Sequence, residues 1–548
     1  HLSSAASDVY KRQILLFLLL AGLLLAVFWK ELFLSFVVIT GKFNVSENKE
    51  IIWEKGPEVR IDDRPNFIVF VADDLGINDL TSFGSGIANG KLPTPNIDFI
   101  ANTGIKFSNA YAGTGMCAPS RAMIVTGRYA TSTGYEFTPL PDGMGRSLQL
   151  FAPFQSVEVN TEALRSNPRF ELQGLPNEEI TFADQLSNAG YHTTHIGKWH
   201  LGRGEGEHPN AQGFKESLLM ASGLFLPVND PNVVNAYLDH DPVDKFLWAR
   251  MQYAASFNQV KIGENWFEPK GYLTDYYTNE ARKVIRANKN RPFLLYLGHW
   301  GVHTPLQALK SDYDELSNIE DHTERVYAAM IKALDRSIEG ILDELNIQGL
   351  ADNTWIIFTS DNGGAGYLGL RYINAPYRGW KLSLLEGGIK VPLIFWKEGI
   401  SEKEIFERAA HIDIAPTIYA LAKEVPEHSV DGIDLFSNSS EAKDRALFWR
   451  TGHNKVVIKD GWKLQLSDHP KREWLFNLNN DPTEKVDLSK ENLTKVAELK
   501  TILNEHLKNS KEPLFQSSLK AKISIDRTLK EVVEDGWEED EDYVMWPN

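Results

Sequence analysis

The sequence predicts an α/β protein: a large, mostly parallel central sheet flanked by helices, with a smaller antiparallel sheet and helix near the C-terminus. Three observations predict it. First, the short apolar runs Asn66–Ala72, Pro292–Leu297 and Trp355–Thr359 each break off into a polar, glycine-bearing cluster. Continuous apolar runs suit strands buried on both faces, as in a parallel sheet covered by helices. Second, helical patterns lie between the runs. Thr181 and Asp184 form a capping pattern ahead of a helix that ends at Gly190, and Val326 to Leu345 places Val326, Met330, Ala333, Leu334, Ile338, Ile341 and Leu345 on one face. Third, the texture changes after residue 440. Lys455–Lys459, Trp462–Leu466 and Glu473–Asn477 read as short strands separated by turns, and a helix is expected from Leu493 to Leu507. Strands alternating with helices imply the α/β class, and ligands of open α/β sheets sit beyond the carboxyl ends of the strands, where all three polar clusters fall.

The ends of the chain read differently. Lys11 and Arg12 precede an apolar run from Ile14 to Trp29, and Lys30 and Glu31 separate it from a second run, Leu32 to Ile39. Residues 1–13 resemble translated adapter sequence and are taken as a non-native extension. Residues 14–40 are expected to be a signal peptide or an N-terminal membrane anchor, giving an exported protein (periplasmic, extracellular or in the secretory pathway). Residues 41–64 read as a linker, 65–440 as the main domain, 441–525 as a C-terminal subdomain and 526–548 as an acidic tail, with Glu531 to Asp542 solvated.

Composition narrows the chemistry. The 548 residues are 43% apolar and 24% charged, an ordinary globular balance, and the formal charge of −17 argues against nucleic acid as a partner. An anionic substrate would need a local cluster of cations, which short-range screening permits. The single cysteine excludes an intramolecular disulfide and a cysteine-based zinc site.

Asp73, Asp74, Asp361 and Asn362 stand at two strand ends and offer four oxygen-bearing side chains. Adjacent carboxylates repel unless a cation sits between them, and an all-oxygen set suits Ca²⁺, with Mg²⁺ second. The cysteine lies in Cys117-Ala118-Pro119-Ser120-Arg121, followed by Thr126-Gly127-Arg128. Pro119 suits the first turn of a helix, whose N-terminus, together with Arg121, would favour a thiolate at Cys117.

C-x-P-S-R followed by T-G-R resembles the signature of the type I sulfatase family, within the alkaline phosphatase superfamily, in which cysteine is converted to formylglycine. The segment Gly197 to Gly202, carrying Lys198 and His200, resembles that family's second signature, and His303-Thr304-Pro305 and Lys381 before Glu386-Gly387-Gly388 follow in family order. The resemblance covers about Pro65 to Leu488, and the only softening is Val125 in place of leucine.

The resemblance implies an alkaline phosphatase-like fold and hydrolysis of sulfate esters, with sulfated carbohydrate the expected substrate. It implies one Ca²⁺ per chain held by Asp73, Asp74, Asp361 and Asn362, and a formylglycine-generating enzyme as maturation partner. The aldehyde hydrate at position 117 would attack sulfur, with Arg121 and the metal lowering its pKa. Its second hydroxyl would then expel the sulfate and restore the aldehyde. Lys198 and Lys381 would hold sulfate oxygens, His200 would act on the hydrate, and His303 would bind substrate and protonate the leaving alcohol. His192, His195, His299 and His322 match no catalytic pattern. Trp300 and Trp380 flank catalytic positions and offer either a stacking surface or core packing. A phosphodiester or phosphonate monoester hydrolase using the same parts is the first alternative. A non-catalytic carbohydrate-binding protein is the second.

Overall fold

A computed structural model describes residues 2–60, 62–258, 265–437, 445–538 and 544–547. The expected boundary at residues 440/441 and the stretch 539–542 of the acidic tail lie outside the described residues. Its centre is a ten-stranded sheet. In spatial order the strands are Lys403–Ile405, Ile105–Phe107, Leu393–Trp396, Thr354–Ser360, Asn66–Ala72, Phe293–Gly298, His192–Gly197, Glu216–Gly223, Tyr253–Phe257 and Trp266–Phe267. The middle five, from Thr354–Ser360 to Glu216–Gly223, are mutually parallel, and the strand flanking them on each side, Leu393–Trp396 and Tyr253–Phe257, is antiparallel to them. This is the mixed, mainly parallel architecture expected from the apolar runs. Every residue of Asn66–Ala72, Phe293–Gly298 and Thr354–Ser360 is buried, as strands covered on both faces require.

The anticipated helices are present. Phe182–Asn188 starts on a capping box in which Thr181 and Asp184 satisfy each other's backbone donors. His322–Gln348 extends the expected amphipathic helix at both ends and packs its apolar face under the sheet. The C-terminal sheet has four antiparallel strands rather than three: Leu447–Thr451 precedes Asn454–Lys459, Trp462–Asp468 and Lys471–Asn477, and Leu493–Leu507 is the helix packed on it.

One terminal expectation needs revision. The segment from Glu531 is not simply solvated: Leu529–Asp535 is a helix capped by Thr528 and Glu531, with Val532 buried and Glu531 paired to Arg371 at 3.1 Å. One apolar residue per turn and a good cap suffice to dock a segment whose composition reads as a tail. At the other end, one helix, Leu2–Gly41, runs through both apolar runs. Its outer part exposes Ile14, Leu15, Leu16 and Phe17, whereas Phe33 and Leu34 pack against the body. Among the described residues no helix is long and apolar enough to cross a membrane.

A buried charge cluster joins the C-terminal sheet to the main domain. Lys463 is fully buried and pairs with Glu386 Oε1 at 3.0 Å and Glu484 Oε1 at 2.8 Å. Glu484 in turn accepts the Glu386 backbone N–H at 2.7 Å, clamping the turn that follows Lys381. Burial and the neighbouring Glu386 hold the Glu484 carboxyl above its ordinary value, and Lys463 opposes them. Lys463→Met should therefore cost about 3–5 kcal/mol, the usual consequence of leaving a buried charge unpaired. A carboxyl raised in the fold contributes stability that is complete below its unfolded pKa of 4.5 and is lost as pH rises through the folded value. Removing Lys463 raises that value further. In denaturant titrations the deficit should widen from pH 6 to pH 8; a deficit independent of pH would contradict this pairing.

Candidate active site

Parallel register brings the two acidic pairs together. Ala72 lies opposite Ser360, so the chain leaves both strands at the same level, and the Asp361 N–H donates to the Ala72 carbonyl at 3.1 Å. Asp73, Asp74, Asp361 and Asn362 are all buried. Asp74 takes a left-handed backbone (φ 59°), and its N–H donates to Asp361 Oδ1 at 3.2 Å. Asn362 Nδ2 donates to Asp74 Oδ1 at 2.8 Å.

Each carboxylate meets one cation. Lys198 Nζ lies 2.6 Å from Asp73 Oδ2, Lys381 Nζ lies 2.7 Å from Asp74 Oδ2, and Arg121 Nε lies 2.8 Å from Asp361 Oδ2. Burial would push all three carboxyls up. Against it, Lys381, His303 and Lys198 hold Asp74 well below the ordinary range, and Arg121 and Lys198 hold Asp361 down. Asp73 goes the other way, raised by burial and by Asp361 beside it.

Cys117 opens the helix Cys117–Thr126, with Pro119 in its first turn. The preceding loop is pinned by Ser120, whose Oγ accepts from the Thr114 N–H at 2.8 Å and donates to the Thr114 carbonyl at 3.0 Å. The thiol thus faces the carboxylates, with Sγ 3.5 Å from Asp73 Oδ1 and 3.7 Å from Asp74 Oδ1. The thiolate expected from sequence is not favoured here: burial and then the Asp361 charge push the thiol well above its ordinary pKa. Arg121, the residue expected to support it, is turned to Asp361 instead. An unmodified Cys117 is a poor nucleophile in this setting.

The second signature follows the strand His192–Gly197. Gly197 turns with φ 98°, and a Cβ there would stand 2.0 Å from the Gly298 carbonyl oxygen, so only glycine lets Lys198 enter the site. Lys198 Nζ also lies 4.7 Å from the Trp300 ring centre. His200 is half-buried, its Nδ1 is buried without a hydrogen-bond partner, and burial with Lys198 and Arg121 holds it well below its ordinary pKa. His303 stacks on Trp300 (centroids 4.2 Å apart), bonds the Thr304 carbonyl through Nδ1 at 2.6 Å and directs Nε2 to Asp74 Oδ2 at 3.6 Å. Burial, then Lys381, bring its pKa down to about 3, so the imidazole is neutral.

All the expected site residues therefore converge. Tyr367 joins them unforeseen: its hydroxyl donates to Asp74 Oδ2 at 3.1 Å and lies 3.4 Å from Lys381 Nζ. Only its position five residues after Asn362 could have flagged it. His192 pairs with Glu216, His195 with Ser217, His299 with Ser337 and His322 with Tyr313, each outside the cluster. Trp380 packs over Gly366, whereas Trp300 lines the cavity in front of Cys117.

The donor set fits a hard cation. Asp73, Asp74, Cys117 and His303 bring one ligand-capable atom each within 4.8 Å of one another. The Asn362 Oδ1 is buried without a hydrogen-bond partner, an orphan that a bound cation would satisfy.

The comparisons with known proteins agree. A family model described as Sulfatase matches residues 65–424. Human N-acetylgalactosamine-6-sulfatase is 27% identical over 475 residues, 78% of this chain and 81% of its own length. Human steryl-sulfatase is 31% identical over 499 residues, 79% of each. Among solved structures, Ps i-CgsB in complex with k-i-k-neocarrahexaose is 28% identical with a TM-score of 0.66, covering 82% of this chain and 94% of that one.

The cluster predicts a single high-affinity Ca²⁺ site. Titration calorimetry of metal-stripped protein should give one ion per chain. Asp361→Asn, which removes one of three buried negative charges, should weaken it at least about tenfold. Unchanged affinity in the variant would remove Asp361 from the site.

Proposed function

The chain belongs to the sulfatase family and is a sulfuric ester hydrolase, and we propose that it works through formylglycine made from Cys117 and one Ca²⁺. The observation that carries this reading is the placement of the only cysteine, inside its full modification string, against buried carboxylates and three cations. The hydrate of the aldehyde would supply a nucleophile, and Asp73, Asp74, Asp361 and Asn362 would hold the Ca²⁺, whose charge would favour the ionised hydrate.

The remaining roles fall to this chain's side chains. Arg121 fixes Asp361 and, at 3.9 Å from Asp73, keeps the pair of strand ends electrostatically tolerable. Lys198 and Lys381 neutralise Asp73 and Asp74 until a cation takes over that work, and are then free to hold sulfate oxygens. Their burial strengthens the attraction, because little water screens it. Neutral His200, with its unpartnered Nδ1, is suited to accept a proton at position 117. His303 must take up a proton at Nε2 before it can donate to a leaving alcohol. The negative ester arriving beside it favours that uptake.

An N-terminal signal or anchor, with action outside the cytosol, remains part of the proposal, supported by the exposed apolar residues of Leu2–Gly41. Sulfated carbohydrate is the substrate expected from sequence. One relative's name carries an amino-sugar sulfate and another's a sterol sulfate. The two share the sulfate and differ in the alcohol, so the walls beyond the sulfate decide.

Co-expression with a maturation enzyme should yield a peptide carrying aldehyde or hydrate at position 117 by mass spectrometry. Cys117→Ala should abolish turnover of 4-nitrophenyl sulfate; active protein carrying only free thiol would overturn the proposal. His303→Ala should lower turnover of an alkyl sulfate by about 10²- to 10⁴-fold, and that of 4-nitrophenyl sulfate, whose leaving group needs no proton, far less. Equal losses would reassign His303 to binding.

A further inference from the structure

The cavity in front of Cys117 measures about 230 Å³, and its two ends differ in kind. At one end stand Lys198, His200, His303 and Lys381. The remaining wall is largely hydrocarbon: Leu140, Met144, Val243, Phe246, Leu247 and Met251, three of them from the helix Pro242–Arg250. Polar side chains also reach the wall, Thr138, Glu171, Gln173, Arg203 and Arg250 among them, and two of these already spend a donor on the backbone. Gln173 Nε2 donates to the Pro168 carbonyl at 2.7 Å, and Arg250 Nη1 donates to the Asp142 carbonyl at 3.0 Å. Arg203 lies over the rings of Trp266 and Phe170, 5.6 and 6.0 Å from their centres. A sugar hydroxyl buried against the face made by Val243, Phe246 and Leu247 finds no partner on it, whereas hydrocarbon is favoured there.

A second observation points the same way. The wall is continuous with the apolar N-terminal helix. Phe33 and Leu34 pack into the cluster containing Met144, Phe246 and Leu247, and Phe43, stacked on Trp266 at 5.2 Å, lines the cavity itself. The surface leading to the site is thus apolar from the exposed helix inwards.

We propose that the alcohol half of the substrate is apolar, a hydrocarbon ring or chain held by the Pro242–Arg250 wall while the sulfate faces Cys117. This rests on the sulfate-ester reading for the anionic end and adds the class of alcohol. An ester of this kind places its charge among the lysines, which donate to the sulfate, and its hydrocarbon against Val243, Phe246 and Leu247, where no hydrogen bond is needed.

Two readouts test it on the whole chain, loaded with Ca²⁺ and shown by mass spectrometry to carry the aldehyde at position 117. In the first, 4-alkylbenzenesulfonates with tails from methyl to hexyl, which cannot be hydrolysed, are bound by calorimetry. Affinity should rise about three- to fourfold per methylene until the wall is covered. In the second, kcat/KM is measured for 4-alkylphenyl sulfates of the same lengths, whose leaving groups have closely similar acidity, and should rise in parallel. Cyclohexylmethyl sulfate should also exceed methyl galactoside 6-sulfate by at least about tenfold. Val243→Asn and Phe246→Ser should each flatten the chain-length slope, a ratio within one variant that cancels any loss of folded protein. A flat slope in wild-type protein, or preference for the sugar ester, overturns the apolar alcohol. A rising binding slope without turnover of any ester supports the apolar wall and instead sinks the hydrolase reading.

Discussion

Three carboxylates held together out of water are the constraint from which the rest of this site follows. The parallel pairing of Asn66–Ala72 with Thr354–Ser360 ends both strands at one level and leaves Asp73, Asp74 and Asp361 in one buried pocket. Like charges at such distances repel strongly where the dielectric is low. The chain answers with Arg121, Lys198 and Lys381, one cation for each carboxylate, drawn from three separate segments. Such a pocket is costly to build for stability alone, since buried ion pairs seldom repay their desolvation. Its retention makes sense as a device for a divalent cation and an anionic ester.

The same field explains why position 117 needs more than a cysteine. A helix N-terminus usually lowers a thiol's pKa, but here burial and the carboxylates win, and the sulfur stays protonated. The helix and its pinned loop then serve placement instead. Ser120 holds Thr114 from both sides and sets the depth at which residue 117 meets Asp73. Within the modification string Ser120 therefore has a structural task as well as its place in the motif. On the proposal made above, selection of the alcohol would fall to the Pro242–Arg250 helix, which contributes no residue to the carboxylate cluster.

Much of this was legible in the sequence, because both strand runs break abruptly into acidic pairs and because capping at Thr181 is a local pattern. The ligand quartet, the cysteine string, Lys198, His200, His303 and Lys381 all fall at such local signals. What escaped depends on contacts between distant segments. Tyr367 reaches Asp74 only through the turn after Asn362. Lys463 looked like an ordinary strand lysine until Glu386 and Glu484 closed over it. The strand Leu447–Thr451 lies at the sheet edge with alternating burial and few turn signals before it. Nothing local in the sequence says that Phe246 and Leu247 face a cavity. The thiolate expected at Cys117 failed because the helix end and the acidic pairs are visible in sequence, whereas the burial of the sulfur against those carboxylates is a property of the fold.

The most direct test of attack at sulfur is the fate of solvent oxygen. Multiple turnovers of an alkyl sulfate in ¹⁸O-labelled water would be analysed by mass spectrometry of both products. Cleavage of the S–O bond predicts one labelled oxygen in the released sulfate and none in the alcohol. Label in the alcohol would mean cleavage of the C–O bond, and would contradict a site built to bring Cys117, Lys198 and Lys381 around sulfur.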